Sequence, residues 1–347
     1  MFIKLNKVLK PFSHLPGEKM LLPSTNCIVK AFPTALFIDE KKLVFDLKGP
    51  VQGFTVFDDL EKNRIIVQGR SENNYYRFYV FYKDGKVNIF VKKLKDSIIC
   101  NLDNETITIK AKDTIAISLD VKCFSSDIKE EKLFLGINKK QDWQAIQKRE
   151  DLKEFLPFWF FLGQKIKTNI DDYSGVASSL VEAEDLINKK DKVNVEKVFE
   201  KIFYAGFEGI LVPKLKDDNY LGLGFNEDYG DPNILLNKGY ELIRLCFFKE
   251  DEDKLSILPN LLVSCHSGML FNINTSFGFL DLIWAKKQIK KIRLFAKKNA
   301  SFSFDLDKSI KSFRIRKSIK EKGSFISKSD EIVISANKTY FFDRFQK

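Results

Sequence analysis

Apolar and polar residues alternate with a period of two over most of residues 28–123, the spacing a half-buried β-strand requires. Segments 31–38, 42–47, 53–57, 64–68, 75–82 and 87–91 read as strands, and 106–111 and 114–121 continue the series. Turn formers separate them: Lys48-Gly49-Pro50, Glu72-Asn73-Asn74 and Lys83-Asp84-Gly85-Lys86, the last carrying the Asp-Gly pair of a two-residue hairpin. Short strands at this regular spacing predict an antiparallel sandwich.

The period changes after residue 141. Asp142 is placed to cap a helix carrying Trp143 and Ile146, and Asp151 to cap a second with Leu152, Phe155, Leu156, Trp159 and Phe160 at helical spacing. Pro157 is expected to kink or interrupt that second helix. Helices follow over 174–189 and 194–207, and another opens at Asp231-Pro232-Asn233 and runs to about 248. Period two then returns in 280–284, 289–296, 301–306, 312–316, 331–335 and 338–342. The predicted class is α+β, mainly β. An N-terminal antiparallel β-sandwich (1–140) precedes a short central helical segment (141–253) and a C-terminal antiparallel β-sheet (254–347).

Composition narrows the chemistry. Five scattered cysteines without C-x-x-C spacing read as small core hydrophobes and point to a reducing, cytoplasmic setting. No secretory leader is read at the start, and the longest apolar runs are too short to span a bilayer, so no membrane partner is expected. With only two histidines, His14 and His266, the supply of ligands argues against a metal site, and no cofactor is expected. His266, between Cys265 and Ser267-Gly268, has no nucleophile elbow around it and reads as a structural or ligand-lining histidine. His14 lies in a loop from which it could line a cleft between the β-body and the helices.

Charge is uneven. Residues 285–323 hold fourteen Lys or Arg against three acids, a surplus that equals the +11 of the whole chain. Lys290, Lys291, Arg293, Arg314 and Arg316 would line one exposed strand face, which could receive nucleic acid or an acidic polymer. The competing reading is a solvated sheet face whose lysines guard its edges.

Residues 255–304 carry the most specific pattern. Leu258-Pro259-Asn260 is followed by Ser267-Gly268-Met269-Leu270, then Gly278-Phe279-Leu280-Asp281-Leu282-Ile283-Trp284, a basic turn, and Ile289-Lys290-Lys291-Ile292-Arg293-Leu294. This stretch resembles the junction at which the helical barrel of fucosidase-type (α/α)-barrel glycoside hydrolases passes into their C-terminal β-domain, with its strand of the form G-x-x-x-D-x-x-W. The resemblance implies an N-terminal β-sandwich ahead of the helices, as the strand–helix–strand order here also suggests. A full barrel of twelve helices, at about 11 residues each plus connections, does not fit between residues 141 and 253. The catalytic barrel is therefore expected to be reduced or missing, and none of the family's catalytic residues can be carried over.

Glycoside hydrolysis needs two carboxylates, about 5 Å apart for retention and roughly 6.5–9.5 Å for inversion. The loop 216–231 offers Glu227, Asp228 and Asp231 as catalytic candidates, with Asp217 for polar contacts and Tyr220, Phe225 and Tyr229 to stack on a sugar ring. The plainer alternative is a solvated acidic loop in which Asp231 caps the next helix. The expected function is binding of a glycan or sugar derivative by a reduced glycosidase relative. The alternative is a non-enzymatic protein that docks an anionic partner on its basic face.

Overall fold

The computed structural model describes residues 8–102, 105–124, 129–167, 173–223 and 230–347, and the class is α+β, mainly β. Two six-stranded antiparallel sheets form the N-terminal sandwich. One runs in the order Phe12–Ser13, Gln52–Asp59, Arg64–Arg70, Tyr75–Lys83, Lys86–Leu94, Thr114–Ile117. The other runs Glu105–Ile109, Ile98–Leu102, Lys41–Phe45, Ala35–Ile38, Ile28–Phe32, Lys19–Leu21. Alternate residues of both sheets meet in the core, where the Phe45 ring stacks on Phe78 at 4.8 Å and the Tyr76 hydroxyl donates to the Pro33 carbonyl at 2.7 Å. The Asp84-Gly85 hairpin forms with both residues at positive φ.

One expected strand divides. Residues 31–38 split into Ile28–Phe32 and Ala35–Ile38, paired as a hairpin, because Pro33-Thr34 supplies a two-residue turn inside the apolar run.

Five α-helices occur among the described residues: α1 (Trp143–Arg149), α2 (Leu152–Gly163), α3 (Ser178–Asn188), α4 (Lys192–Gly206) and α5 (Ile234–Phe247). Asp142 accepts from the Ala145 amide and Asp151 from the Lys153 amide, as the capping pattern requires. The second helix is buried on every side except at Lys153, so it forms the centre of this layer rather than an amphipathic cover. Its rings lock onto α4, with Phe155 stacked on Phe203 at 3.7 Å and Trp159 edge-on to Phe199 at 5.8 Å. Pro157 does not interrupt it: burial all round outweighs one lost backbone bond. Helices α2 and α5 approach so closely that a Cβ on Gly239 would fall 2.4 Å from the Trp159 ring.

The C-terminal region is a second, smaller sandwich. A seven-stranded antiparallel sheet runs Lys132–Phe134, Gly268–Thr275, Gly278–Ala285, Gln288–Ala296, Thr339–Gln346, Ser312–Arg316, Ser324–Ser327. Its first strand comes from before the helices. A four-stranded sheet packs against it through Phe304, edge-on to Phe342 at 5.0 Å and Phe313 at 5.7 Å. That smaller sheet departs from the all-antiparallel expectation, because Lys254–Ile257 pairs parallel with Ala300–Asp305. The long excursion through the larger sheet supplies the crossover that a parallel pair needs.

The G-x-x-x-D-x-x-W strand is explained by packing. Gly278 lets the Phe295 carbonyl approach within 2.0 Å of where a Cβ would stand, and Trp284 is buried with its Nε1 donating to the Cys265 carbonyl at 3.1 Å. Between them Asp281 forms a cross-strand ion pair with Arg293.

Gly239→Ala should therefore lower the unfolding free energy by about 1–3 kcal/mol through overpacking at the α2–α5 crossing. Urea denaturation would read this as a lower midpoint at unchanged slope. A wild-type midpoint would mean that the two helices separate more easily than their contact implies.

Candidate functional site

Where the three parts of the chain meet, residues 129–131 cross from the first sandwich to the second as a short strap. Glu131 sits at its centre and is 1% exposed. The Arg244 Nε of α5 donates to both Glu131 carboxylate oxygens at 3.1 and 3.0 Å, and the Asn274 amide donates to Oε1 at 2.8 Å. Arg244 also reaches the Asn274 carbonyl at 2.8 Å, so one carboxylate ties strap, helix and C-terminal sheet together. Gln164, just past the end of α2, brackets the Glu131 backbone, accepting from its N–H at 2.8 Å and donating to its carbonyl at 2.9 Å. Burial works against the Arg244 cation, but Glu131 more than offsets it and holds the guanidinium above its usual pKa range. Burial and then Glu131 push the neighbouring Tyr240 phenol up.

A second buried cation stands beside this network. The Lys165 ammonium donates to the Leu60 carbonyl at 2.7 Å and Asn63 Oδ1 at 2.5 Å, and pairs with Glu130 at 2.9 Å. Burial lowers its pKa while Glu130 and then Asp58 pull the other way. With three acceptors around it, this lysine is a strut rather than a nucleophile.

Around these struts opens a cleft of about 640 Å³. Ser24, Asn63, Tyr82 and Cys123 of the first sandwich face Asn237, Tyr240 and Glu241 of α5, with Lys129 and Asn274 closing the far side. Four cations and three acids line it, but Arg244 is matched by Glu131 and Lys165 by Glu130. Asn237 donates one end of its amide to the Ile166 carbonyl at 2.8 Å, a bond that does not use the acceptor end. Cys123 is the one exposed cysteine of the five.

The residues expected to form a site lie elsewhere. Asp217 accepts from the Asn219 and Leu223 amides at 3.1 Å each, which folds the loop upon itself, and Tyr220 is 80% exposed. Asp231 accepts from the Asn233 backbone and side chain at 2.9 and 2.7 Å, shaping the entry to α5. Phe225, Glu227, Asp228 and Tyr229 fall outside the described residues. His14 is exposed, with Nδ1 3.0 Å from the Thr55 hydroxyl, and exposed His266 lies on the turn before the Gly268–Thr275 strand; neither lines the cleft. No group of three or more His, Cys, Asp or Glu poised for a metal occurs among the described residues.

The basic face also differs from its expected form. Arg314 and Arg316 do share a side of their strand, but their side chains are only 13% and 15% exposed, and both pair with Asp343 at 2.7 and 2.5 Å. Arg293 pairs with Asp281, and Lys290 is exposed beside Gln288. Acids from neighbouring strands, distant in sequence, neutralise much of the local surplus. Lys291, which lies opposite Asp343 in the sheet register, also has an interaction partner.

Sequence reasoning missed the cleft because its walls come from separate segments. The available signals were Glu130-Glu131 in a connecting stretch and Arg244 among the apolar positions of α5. Comparison with protein-family models and with curated proteins finds no match to this chain. Among the described residues no helix is long and apolar enough to cross a membrane.

Removing one partner of the clasp, as in Arg244→Ala, should cost about 3–5 kcal/mol by stranding a buried carboxylate. The paired variant E131Q/R244M should recover part of that loss in urea unfolding; equal losses would deny the coupling. A pH effect is expected at Asp58. Burial raises its carboxyl well above the usual value, Lys165 opposes this and Asp59 adds to it. The folded chain then keeps a proton that the unfolded chain has lost, so this group's contribution weakens stability as pH rises through that window. Asp58→Asn should stabilise at pH 7, with the gain fading as pH falls toward about 4. A gain independent of pH would assign the effect to something other than ionisation.

Proposed function

We propose that this chain binds a carbohydrate or neutral sugar derivative in the junction cleft, as a reduced relative of (α/α)-barrel glycosidases and without a hydrolytic step. The observation that carries the reading is the internal cancellation of charge among groups that stay polar. With Arg244 matched by Glu131 and Lys165 by Glu130, the deeper part of the cleft favours neither an anion nor a cation. Besides Lys129, Lys167 and Glu241, it presents amides, hydroxyls and the rings of Tyr82 and Tyr240, the mixture of donors, acceptors and apolar faces that a polyol requires. Hydrolysis is disfavoured because both oxygens of Glu131 are committed to Arg244 and one oxygen of Glu130 to Lys165, which leaves Glu241, itself beside Lys238 at 3.7 Å, without a second carboxylate to work with. A general acid needs a carboxyl able to exchange its proton with substrate.

The anionic-partner reading is weakened at the basic face, whose three arginines are paired with Asp281 and Asp343, and rests on its exposed lysines such as Lys290. The cytoplasmic setting remains part of the proposal; the burial of four of the five cysteines supports their reading as core residues.

Thermal unfolding with neutral mono- and oligosaccharides, sugar phosphates and heparin tests this directly. A neutral sugar at about a hundred times its Kd should stabilise the chain by roughly 2.7 kcal/mol. Tyr82→Ala or Asn237→Ala should weaken that ligand about tenfold, the loss expected for one polar or stacking contact. A fluorophore on Cys123 gives an independent readout, because it stands on the cleft wall. Stabilisation by heparin alone, or by no sugar, would reject the proposal.

A further inference from the structure

The strap has a second side. A smaller pocket of about 220 Å³ lies on the seven-stranded sheet, lined by Lys129, Asn272, Phe279, Asp281, Arg293 and Phe295 among others. Lys129 also lines the main cleft, so the two cavities adjoin at the strap. Two asparagines hold the strap between them. Asn274, on the cleft side, donates to the Lys129 carbonyl at 3.0 Å, and Asn272, on the pocket side, donates to the Glu130 carbonyl at 3.1 Å.

The pocket repeats the chemistry of the cleft. Phe279 stands opposite Phe295 in the sheet register and Asp281 opposite Arg293, which sets two rings and one ion pair on a single face. The ion pair again cancels its own charge: the buried Asp281 carboxylate is committed to Arg293 and to the Asn272 backbone amide at 2.9 Å, and the partly exposed Arg293 guanidinium is the polar group of the pair that meets the pocket. Lys297 and Lys129 cover the Phe279 ring at 4.3 and 5.0 Å from its centroid. The apolar floor is therefore left to Phe295, which is 38% exposed. An exposed ring beside a charge-compensated polar pair suits a sugar unit better than it suits an ion.

We infer that this pocket is a second subsite and that the ligand is an oligosaccharide crossing the Lys129 strap, with one unit in the cleft and a later unit on Phe295. The inference rests on the carbohydrate reading of the cleft, and the following experiment separates the two. Titration calorimetry on the full chain would use malto-, cello- and xylo-oligosaccharides of one to four units. In the series that binds, affinity should rise by roughly tenfold once the chain is long enough to reach the ring, the size of one aromatic contact. Phe295→Ser should abolish that increment while leaving the monosaccharide Kd and the thermal midpoint as they are. Thr339→Gln, which fills the same pocket without removing the ring, should do likewise and guards against a folding artefact. Tyr82→Ala should weaken every length alike. Monosaccharide binding with no length dependence, or an increment that both pocket variants retain, would overturn the second subsite and leave the cleft standing. Binding of no sugar at any length would overturn both.

Discussion

The Glu131–Arg244 pair is the contact on which the junction depends. Neither sandwich has a broad face against the other; they are joined through a strap, a helix and one strand, and a single buried carboxylate accepts from two of the three. Buried ion pairs often contribute little net stability, because desolvation cancels most of their attraction. Their value lies in geometry: the alternative to the correct arrangement is an unpaired charge. Here that penalty fixes the path of residues 129–131 and the rotation of α5 about its axis. The cleft is the space left between elements held in that way.

The helical layer explains why the cleft is open. Helix α2 is apolar over most of its surface and is covered by α4, α5 and the Lys132–Phe134 strand, so a short helical layer suffices to bury it. A complete ring of helical hairpins would enclose a cavity among its own helices. This shorter layer has none to spare, and its polar concavity forms at the margin, where α5 meets the two sandwiches. The main cleft accordingly lies at the boundary between the helices and the sheets.

Local physics made much of the fold legible. Period-two segments became strands, Asp142 and Asp151 became caps, and the Asp84-Gly85 turn formed, since each depends on residues within a few positions of one another. The failures were long-range. Pro157 looked like a breaker because its local cost was visible and the burial that outweighs it was not. Arg314 and Arg316 looked like free cations because Asp343 lies a whole hairpin away in sequence. The cleft was illegible for the same reason, as Tyr82, Glu131, Asn237 and Asn274 become neighbours only through tertiary structure.

The fate of the G-x-x-x-D-x-x-W strand shows how a motif can be specific without being catalytic. Gly278 is small because a neighbouring strand's carbonyl occupies the place of its side chain, and Trp284 is large because it fills the core against Phe247 at 5.4 Å. Those two positions are fixed by packing and, at Trp284, by the Nε1 bond to the Cys265 carbonyl. Asp281 is different: its buried carboxylate accepts from the Asn272 backbone amide at 2.9 Å, where the neighbouring strand shifts register, and an arginine stands opposite it. With the arginine side chain 42% exposed, the ion pair itself adds little stability, and the amide contact is what the sheet gains from the carboxylate. The motif's polar member thus ties two neighbouring strands to its own, through the Asn272 amide on one side and Arg293 on the other, while its glycine and tryptophan serve the packing of the sheet.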